Sequence, residues 1–196
     1  TPLNVKEVFL KNVKIYLKNL EEFKHSKLEK STIISNDARD IKNKKYDGKV
    51  KLAVTSPPYI NAFDYVRSLR LENAWLGYYG DSTITNVKRK QIGSETIYHK
   101  EYSEMEDSGI KKLDKIVEKI SKKDKKRAYV VQKFFSDMSK NMIEIKRLLQ
   151  KNGHYVMVVG NSNIRGIEVP TNELLLEIAK INGFDLENMF SYVIKN

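Results

Sequence analysis

Short apolar runs typical of buried strands alternate along this chain with longer amphipathic segments. Residues 31–35 are mostly β-branched, residues 47–54 follow an Asp-Gly turn, and residues 154–159 are almost entirely apolar, as central parallel strands are. Strands that alternate with helices favour an α/β fold with an open, mostly parallel sheet. The periodicity also predicts helices over 5–24, 64–79, 128–150 and 171–182, and a last strand over 189–194.

Polar residues follow three of the predicted strands, at 36–37, 56–59 and 160–162. In open parallel sheets, ligands bind at the carboxyl ends of the strands. Because these ends lie at one edge of a sheet, we expect the three polar stretches to converge on one site. Turn formation alone is the alternative explanation for the first and third stretches.

The segment Ser56-Pro57-Pro58-Tyr59 carries the most informative chemistry in the chain. Two consecutive prolines fix φ twice and remove two N–H donors. Residues that precede a proline are pushed towards extended conformations. The segment therefore predicts a stiff loop with carbonyl acceptors, a hydroxyl and an aromatic face, although a rigid turn after a strand has the same pattern.

Such a loop suits the gripping of an exocyclic amino group on a flat base. The Ser56 hydroxyl and a carbonyl near Pro57 would accept hydrogen bonds from the amino group, while Tyr59 would stack on the ring, as flipped bases are usually held. Hydrogen bonds that draw the amino nitrogen towards tetrahedral geometry free its lone pair to attack an adjacent methyl sulfonium. We therefore expect methyl transfer without a covalent enzyme intermediate.

The composition limits the chemistry further. The chain has no cysteine, which excludes disulfides, Cys-ligated zinc and the thiol nucleophile that cytosine C5-methylation needs. Its three histidines are well separated in sequence, so we expect no metal site. The net charge of +11 suggests a polyanionic partner, although lysine-rich helices also form solvated faces. No apolar run approaches the roughly 20 residues of a membrane span, and we expect a cytoplasmic protein.

Residues 81–127 differ in character from the rest of the chain. They are polar, rich in lysine and low in large aliphatic residues until Ile116. The pattern predicts a loop followed by one charged helix at about 104–122, within an insertion. The segment lacks the aromatic and polar variety expected of residues that read bases.

Thr55-Ser56-Pro57-Pro58-Tyr59 resembles motif IV of the amino-methylating DNA methyltransferases, in which an (Asp/Asn/Ser)-Pro-Pro-(Tyr/Phe) tetrapeptide holds the target amino group. The Ser form is most typical of N4-cytosine enzymes, whereas adenine-N6 enzymes more often carry Asp. The run Asn61-Ala62-Phe63-Asp64-Tyr65-Val66-Arg67, followed by Trp75-Leu76-Gly77, is similar to that of a subgroup of modification methylases. The resemblance covers about residues 31–80 and 128–196, and it implies a Rossmann-like class I methyltransferase fold.

The resemblance also implies roles for individual residues. Asn36-Asp37-Ala38-Arg39 is similar to the Gly-Asp-Ala-Arg segment of the family, which lies near the adenine of S-adenosylmethionine. Asp64 is equally well explained as a helix N-cap, and Arg67 as an exposed side chain. The implied catalytic residues are Ser56, Pro57, Pro58 and Tyr59, the cofactor-binding residues are Asp37, Ala38 and Asn161, and the substrate-binding residues are Asn61, Asp64, Tyr65, Arg67 and Ser162.

The glycine-rich cofactor loop of the family is absent, since no Gly-x-Gly occurs in the chain. We therefore expect residues 1–196 to form a partial methyltransferase catalytic domain, the C-terminal portion, incomplete at the cofactor side and with an insertion at about 81–127. DNA is the expected partner, and the N-terminal half or a restriction subunit are further candidates. The leading function is S-adenosylmethionine-dependent methylation of cytosine N4 in DNA. The alternatives are adenine-N6 methylation, a non-catalytic nucleic-acid-binding module and RNA guanine-N2 methylation.

Overall fold

The computed structural model describes residues 4–24, 30–60, 64–78, 83–103, 105 and 107–192. The described part is a mixed α/β structure, and it divides into two compact units, Thr1–Ile34 and Ser35–Asn196. In chain order its helices and strands are α1 (Val5–Lys24), β1 (Val50–Thr55), α2 (Tyr65–Ser68), α3 (Arg70–Trp75), α4 (Ile84–Lys90), α5 (His99–Tyr102), α6 (Lys111–Ser121), α7 (Lys125–Leu148), β2 (Leu149–Met157), β3 (Ser162–Ile164), β4 (Ile167–Val169) and α8 (Thr171–Ile181), with a short 3-10 helix at Lys44–Tyr46.

The first unit contains α1, which spans the range that the sequence predicts. Apolar residues recur along it at the spacing of one helix face. None of its residues is buried. The amphipathic period alone was therefore enough to identify this helix.

Strands β1 and β2 form a two-stranded parallel sheet in the second unit. Ala53 lies opposite Tyr155 and Thr55 opposite Met157. The Val158 N–H extends the ladder by donating to the Thr55 carbonyl at 3.0 Å. Because the strands run in the same direction, their carboxyl ends lie at one edge of the sheet, as the polar stretches predict.

The start of β2 differs from the prediction that helix 128–150 closes at Asn152-Gly153. Helix α7 ends at Leu148, and β2 begins at the next residue. The pairing with β1 shifts in register between Val50 and Leu52. A Cβ at Gly153 would lie 3.0 Å from the Val50 carbonyl oxygen, so the close approach of the two strands requires glycine there rather than in a helix cap.

The core of the second unit lies where α6, α7 and α8 meet the inner face of the sheet. Helix α7 buries the apolar face that its periodicity predicts, and α6 and α8 pack their own apolar faces against it. Deep burial of such side chains is the main stabilising contribution in a fold of this size. The largest fully buried side chains of the three helices are Leu113, Ile120, Phe134, Phe135, Met138, Met142, Leu174 and Ile178.

The outer face of the sheet is apolar and accessible. Leu52, Val54, Val156 and Val158 are between 44% and 66% exposed. Parallel sheets are usually covered on both faces. Within the described residues, this unit covers only one face of its sheet.

The predicted strand at 31–35 is wrong, because the described residues there are irregular. Ile33 is 92% exposed. The Ser35 hydroxyl accepts the Asp37 N–H at 3.1 Å and donates to the Asp37 carbonyl at 2.9 Å. These local side-chain bonds to the backbone form a turn where a strand would need a pairing partner.

The predicted helix over 64–79 is two short helices, α2 and α3, which are separated at Leu69. Trp75 of α3 is 87% exposed. Gly77 ends the helical segment as predicted, with a φ of +69° and the Tyr78 N–H bonded to the Asn73 carbonyl at 2.9 Å. Residue 79 lies outside the described residues.

Residues 81–127 contain more regular structure than the sequence predicted. Helices α4 and α5 lie in the predicted loop, and α6 accounts for most of the predicted helix at 104–122. The Thr83 hydroxyl caps α4 by accepting the Asn86 N–H at 3.3 Å. Since α6 contributes to the core, at least part of this segment belongs to the folded unit.

The C-terminal part adds an unpredicted antiparallel hairpin, β3 and β4. Helix α8 confirms the predicted helix to within a residue, but its N-cap is Pro170. Thr171 is the first helical residue, and its hydroxyl donates to the Val169 carbonyl at 3.2 Å. The predicted last strand is wrong over 189–192, which is irregular, and its remaining residues lie outside the described part.

Candidate active-site cleft

A cleft of about 760 Å³ lies in the second unit beside the loop that follows β1. A first set of lining residues comes from the two polar stretches that the sequence places after strands, together with the start of α2. A second set comes from α4 and the loop after it. A cavity of this volume is the size of a small-molecule site. The lining residues are 36–39, 58–59, 64–65, 87–88 and 90–96.

Three hydrogen bonds from α7 fix the loop at 36–41. The Asn141 side chain donates to the Ala38 carbonyl at 2.8 Å, and the Ile41 N–H donates to the Glu144 carboxylate at 2.8 Å. Arg39 donates to the carboxylate of Asp137 at 3.1 Å. Asp137 and Asn141 are almost completely buried. The position of this loop is therefore set by polar groups inside the core.

Asp37 and Arg39 form a close ion pair within this loop. The Arg39 Nε and backbone N–H both donate to one Asp37 oxygen at 2.9 Å, and the Nη2 group donates to the other at 2.8 Å. The Arg39 guanidinium lowers the pKa of Asp37 from its ordinary value, against a smaller opposing effect of burial. The Asp37 side chain is still 39% exposed, so it keeps acceptor capacity towards the cleft.

Tyr59 lies between two glycines. A Cβ at Gly160, just after β2, would come within 3.2 Å of the Tyr59 ring, and a Cβ at Gly93 would come within 3.4 Å of the Tyr59 carbonyl oxygen. Gly93 also has a φ of +75°, which favours glycine. The tyrosine is 44% exposed. The backbone thus packs closely around Tyr59 and leaves part of it accessible.

Asp64 lies at the start of α2 and acts as its N-cap, accepting the Arg67 N–H at 2.9 Å. Its other oxygen accepts from Lys88 of α4 at 2.5 Å. Partial burial opposes ionisation of Asp64, but the bonds from Lys88 and Arg67 outweigh it and lower the pKa. Asp64 thus connects α2 with α4, and the N-cap explanation from the sequence is confirmed.

Arg89 organises the loop after α4. Its guanidinium donates to Glu101 at 2.9 Å and to the Thr96 carbonyl at 3.3 Å, and it lies 3.8 Å from the centre of the Tyr98 ring. A second ion pair joins Glu95 to Arg127 of α7. These contacts hold residues 91–97 in a defined conformation.

Other predicted site residues lie outside the residues that line the cleft. Ser56 is exposed, Pro57 is buried, and Arg67 is exposed. Asn161 accepts the N–H of Asn172 in the first turn of α8 at 3.2 Å, and Ser162 pairs with β4 in the hairpin. Asn61 lies outside the described residues. Tyr65, Asp37, Ala38, Pro58 and Tyr59 line the cleft together with Asp64.

The lining residues from α4 and the following loop were not predicted from the sequence. The composition of residues 81–127 indicates a segment without base-reading character. Thr83 before Ile84 and Gly93 within a short polar run were the available signals for a capped helix and a tight turn. The contacts that bring this segment to Tyr59 and Arg39 are long-range and leave no local pattern.

Within the described residues, no cluster of three or more His, Asp or Glu side chains could hold a metal ion. A search of the same residues finds no helix with the length and hydropathy that a bilayer crossing would need.

Comparison with known proteins relates the chain to one enzyme class. It is 28% identical over 151 residues to the Type II methyltransferase M.AvaI of Nostoc sp. and to that of Anabaena variabilis, over 69% of this chain and 31% of each relative. It is 27% identical over 210 residues to the Type II methyltransferase M.MvaI of Kocuria varians, over 98% of this chain and 44% of the relative. No protein-family model and no solved structure matches it. The chain spans less than half the length of these curated relatives, and it is related in sequence to type II methyltransferases.

Proposed function

We propose that this chain carries the target-base side of an S-adenosylmethionine-dependent DNA methyltransferase of the Rossmann-like class I fold. The reaction is methylation of an exocyclic amino group, with cytosine N4 as the first candidate. The observation that carries the proposal is the position of Tyr59, which follows the carboxyl end of β1 and lines the cleft. Similarity to type II methyltransferases over 69% to 98% of the chain supports the same reaction class.

The residues after β1 have the properties that amino-group binding needs. Ser56 is exposed, and its hydroxyl has no hydrogen-bond partner within the described residues, so it is available to accept from an amino group. Tyr59 packs on Gly160 and remains 44% exposed, which leaves aromatic surface for stacking. We assign orientation of the amino group to Ser56 and Pro57, and stacking of the base to Tyr59.

Asp37 and Ala38 are the residues that we propose for the adenosine part of S-adenosylmethionine. The Asp37 carboxylate is ionised and 39% exposed, so it can accept from an amino or hydroxyl group. The chain contains no Gly-x-Gly, and among the lining residues every carboxylate is already paired with a cation, so we assign no residue to the methionine end. When bound, S-adenosylmethionine supplies the methyl group.

The chain's own contribution is to hold the amino nitrogen. The nitrogen would take up the methyl group that S-adenosylmethionine supplies, and the surplus proton of the amino group would pass to solvent water. Hydrogen bonds to the Ser56 hydroxyl and to a carbonyl near Pro57 orient the lone pair for this attack. Correct orientation of the reacting groups lowers the activation free energy by several kcal/mol in well-aligned reactions.

The test is methyl transfer by the purified gene product to unmethylated genomic DNA, with labelled S-adenosylmethionine. The DNA is then digested to nucleosides and analysed by mass spectrometry. We expect N4-methyldeoxycytidine. Detection of N6-methyldeoxyadenosine would support amino-methylation but identify adenine as the target base. Labelling of transfer RNA alone would favour the RNA guanine-N2 enzyme. DNA binding without any methylated nucleoside would overturn the proposal in favour of a binding module.

A further inference from the structure

The acidic side chains that line the cleft are all paired with cations. Asp37 pairs with Arg39 at 2.8 Å, Asp64 pairs with Lys88 at 2.5 Å, and Glu95 pairs with Arg127. Such pairs neutralise the interior of the cleft. A neutral interior suits a flat, uncharged heteroaromatic ring better than it suits an ion.

Lys90 is the remaining cation among the lining residues. Its ammonium group has no ion-pair partner within the described part of the chain, and the side chain is exposed. Because Glu95 pairs with Arg127 outside the lining, Lys90 is the lining cation that has no carboxylate partner within the described residues.

The backbone at Lys90 is bonded to a loop that lies 51 residues earlier in the chain. Lys90 is the last residue of α4, and its carbonyl accepts a hydrogen bond of 2.8 Å from the Nη2 group of Arg39. Arg39 is itself fixed by the buried carboxylate of Asp137. The backbone that carries the Lys90 side chain is therefore held in a fixed position relative to the loop at 36–39.

We infer that Lys90 binds a phosphate that flanks the nucleotide whose base enters the cleft beside Tyr59. This inference rests on the proposed function, because it takes DNA as the ligand. A nucleotide combines an uncharged base with an anionic phosphate, and the lining residues present carboxylates that are paired with cations beside one exposed lysine that has no ion-pair partner within the described residues. Lysine serves well as a point charge for phosphate.

The test measures binding of the purified gene product to duplex DNA as a function of salt, by fluorescence anisotropy. Each phosphate contact contributes about 0.9 to the slope of log affinity against log salt for B-form DNA. We expect Lys90→Gln to lower the magnitude of the slope by about 0.9. Between 50 mM and 200 mM salt, the factor by which the affinity of the variant falls should therefore be about 3-fold smaller than that of the wild type. Lys90→Arg keeps the charge and should keep the slope.

Lys151→Gln is the matched control, because Lys151 is exposed near the start of β2, at the other end of the strand from Gly160. It should leave the slope unchanged. Equal slopes for Lys90→Gln and Lys151→Gln would overturn the inference, as would a failure of the wild type to bind DNA. A slope that depends on Lys90 in a protein that methylates no nucleoside would support the phosphate contact and overturn only the proposed methyl transfer.

Discussion

Gly153 and Gly160 both have ordinary backbone angles, but different atoms surround them. A side chain added at Gly153 should therefore change stability, whereas one added at Gly160 should change the geometry of the site. A Cβ at Gly160 would meet the ring of Tyr59 at 3.2 Å, whereas a Cβ at Gly153 would meet the backbone oxygen of Val50 at 3.0 Å. The half-exposed ring of Tyr59 can shift by a few tenths of an ångström, but strand β1 cannot shift without weakening its hydrogen bonds to β2.

We therefore predict opposite effects for the two glycine-to-alanine variants. Gly160→Ala should keep the melting temperature within about 2 °C of the wild type while it lowers methyl transfer at least about 10-fold, because Tyr59 is displaced. Gly153→Ala should lower the melting temperature by several degrees. Full activity of Gly160→Ala would contradict the role of Tyr59 packing.

The ion pair of Asp37 with Arg39 predicts a pH dependence of stability. Its pKa is lowered in the folded state below its ordinary value of 3.8, mainly by the Arg39 guanidinium. A depressed carboxyl pKa contributes stability that is complete above the unfolded pKa and is lost as pH falls through the folded pKa. The stability difference between the wild type and Asp37→Asn should be constant above about pH 5 and should shrink below about pH 4. Chemical denaturation at a series of pH values measures it, and a difference that grows in acid would contradict the pair.

Residues of the site differ in how far along the chain their contact partners lie, and this decides whether they could be predicted from the sequence. Asp64 and Tyr59 could be predicted because Asp64 begins α2 and Tyr59 follows β1, whereas the strand expected before Asp37 does not form. Lys90 and Asp137 could not, since their importance comes from contacts with Arg39, which is 51 and 98 residues away in the chain. A single sequence carries no local signal of such pairs.

At the scale of elements, α7 serves both the core and the cleft. Its apolar face forms the core, while buried Asp137 and Asn141 reach the loop at 36–41. Tyr155 of β2 donates to the same Asn141 at 2.7 Å, and burial raises the pKa of Tyr155 to about 12. Polar groups on this helix therefore position the site through the interior of the fold.

We predict that Asp137→Ala destabilises the protein by about 2 kcal/mol, because it removes a buried carboxylate that accepts charged hydrogen bonds from both Arg39 and Lys133, although Arg39 keeps Asp37 as a partner. The pair of Glu118 with Lys122 is exposed on both sides, so Glu118→Ala should leave the free energy of unfolding close to that of the wild type. Urea denaturation measures both free energies of unfolding. Equal effects of the two variants would contradict the anchoring role of Asp137.

The loop after α4 gives a second prediction for an element. Arg89 joins the Thr96 carbonyl, Glu101 and the Tyr98 ring. Arg89→Met should leave most of the fold intact and raise the amide exchange rates of residues 91–97 about 10-fold or more, because their contacts are lost. Lys115→Met, at an exposed position of α6, is the control, and hydrogen exchange read by mass spectrometry compares the two variants. Unchanged exchange at 91–97 would contradict the role of Arg89.

The long amphipathic elements α1, α7 and α8 could be predicted to within a few residues, because their apolar periods are regular. The short elements could not. The strand expected at 31–35 is a turn formed by Ser35, and α4 and α5 lie in a segment whose composition indicates a loop. Tertiary contacts override weak local preferences in segments this short.

At the scale of the molecule, the account depends on one arrangement. Two loops after predicted strands and one segment from the lysine-rich region meet around a cleft of about 760 Å³. The position of the loop after β1 could be predicted from the strand that precedes it. The loop at 36–39 follows no strand and is placed by its bonds to α7, and nothing local in residues 83–103 indicates where they pack. The proposed methyl transfer requires that the target base enters this cleft.

Methyl transfer to DNA by Tyr59→Ala, compared with Tyr78→Ala, tests this claim most directly. Both variants remove an exposed tyrosine, and Tyr78 is not among the residues that line the cleft. Base stacking on an aromatic side chain is worth about 1–3 kcal/mol, so we predict that Tyr59→Ala loses about 10-fold to 100-fold in methyl transfer while Tyr78→Ala stays near the wild type. Equal activity of the two variants would contradict the account.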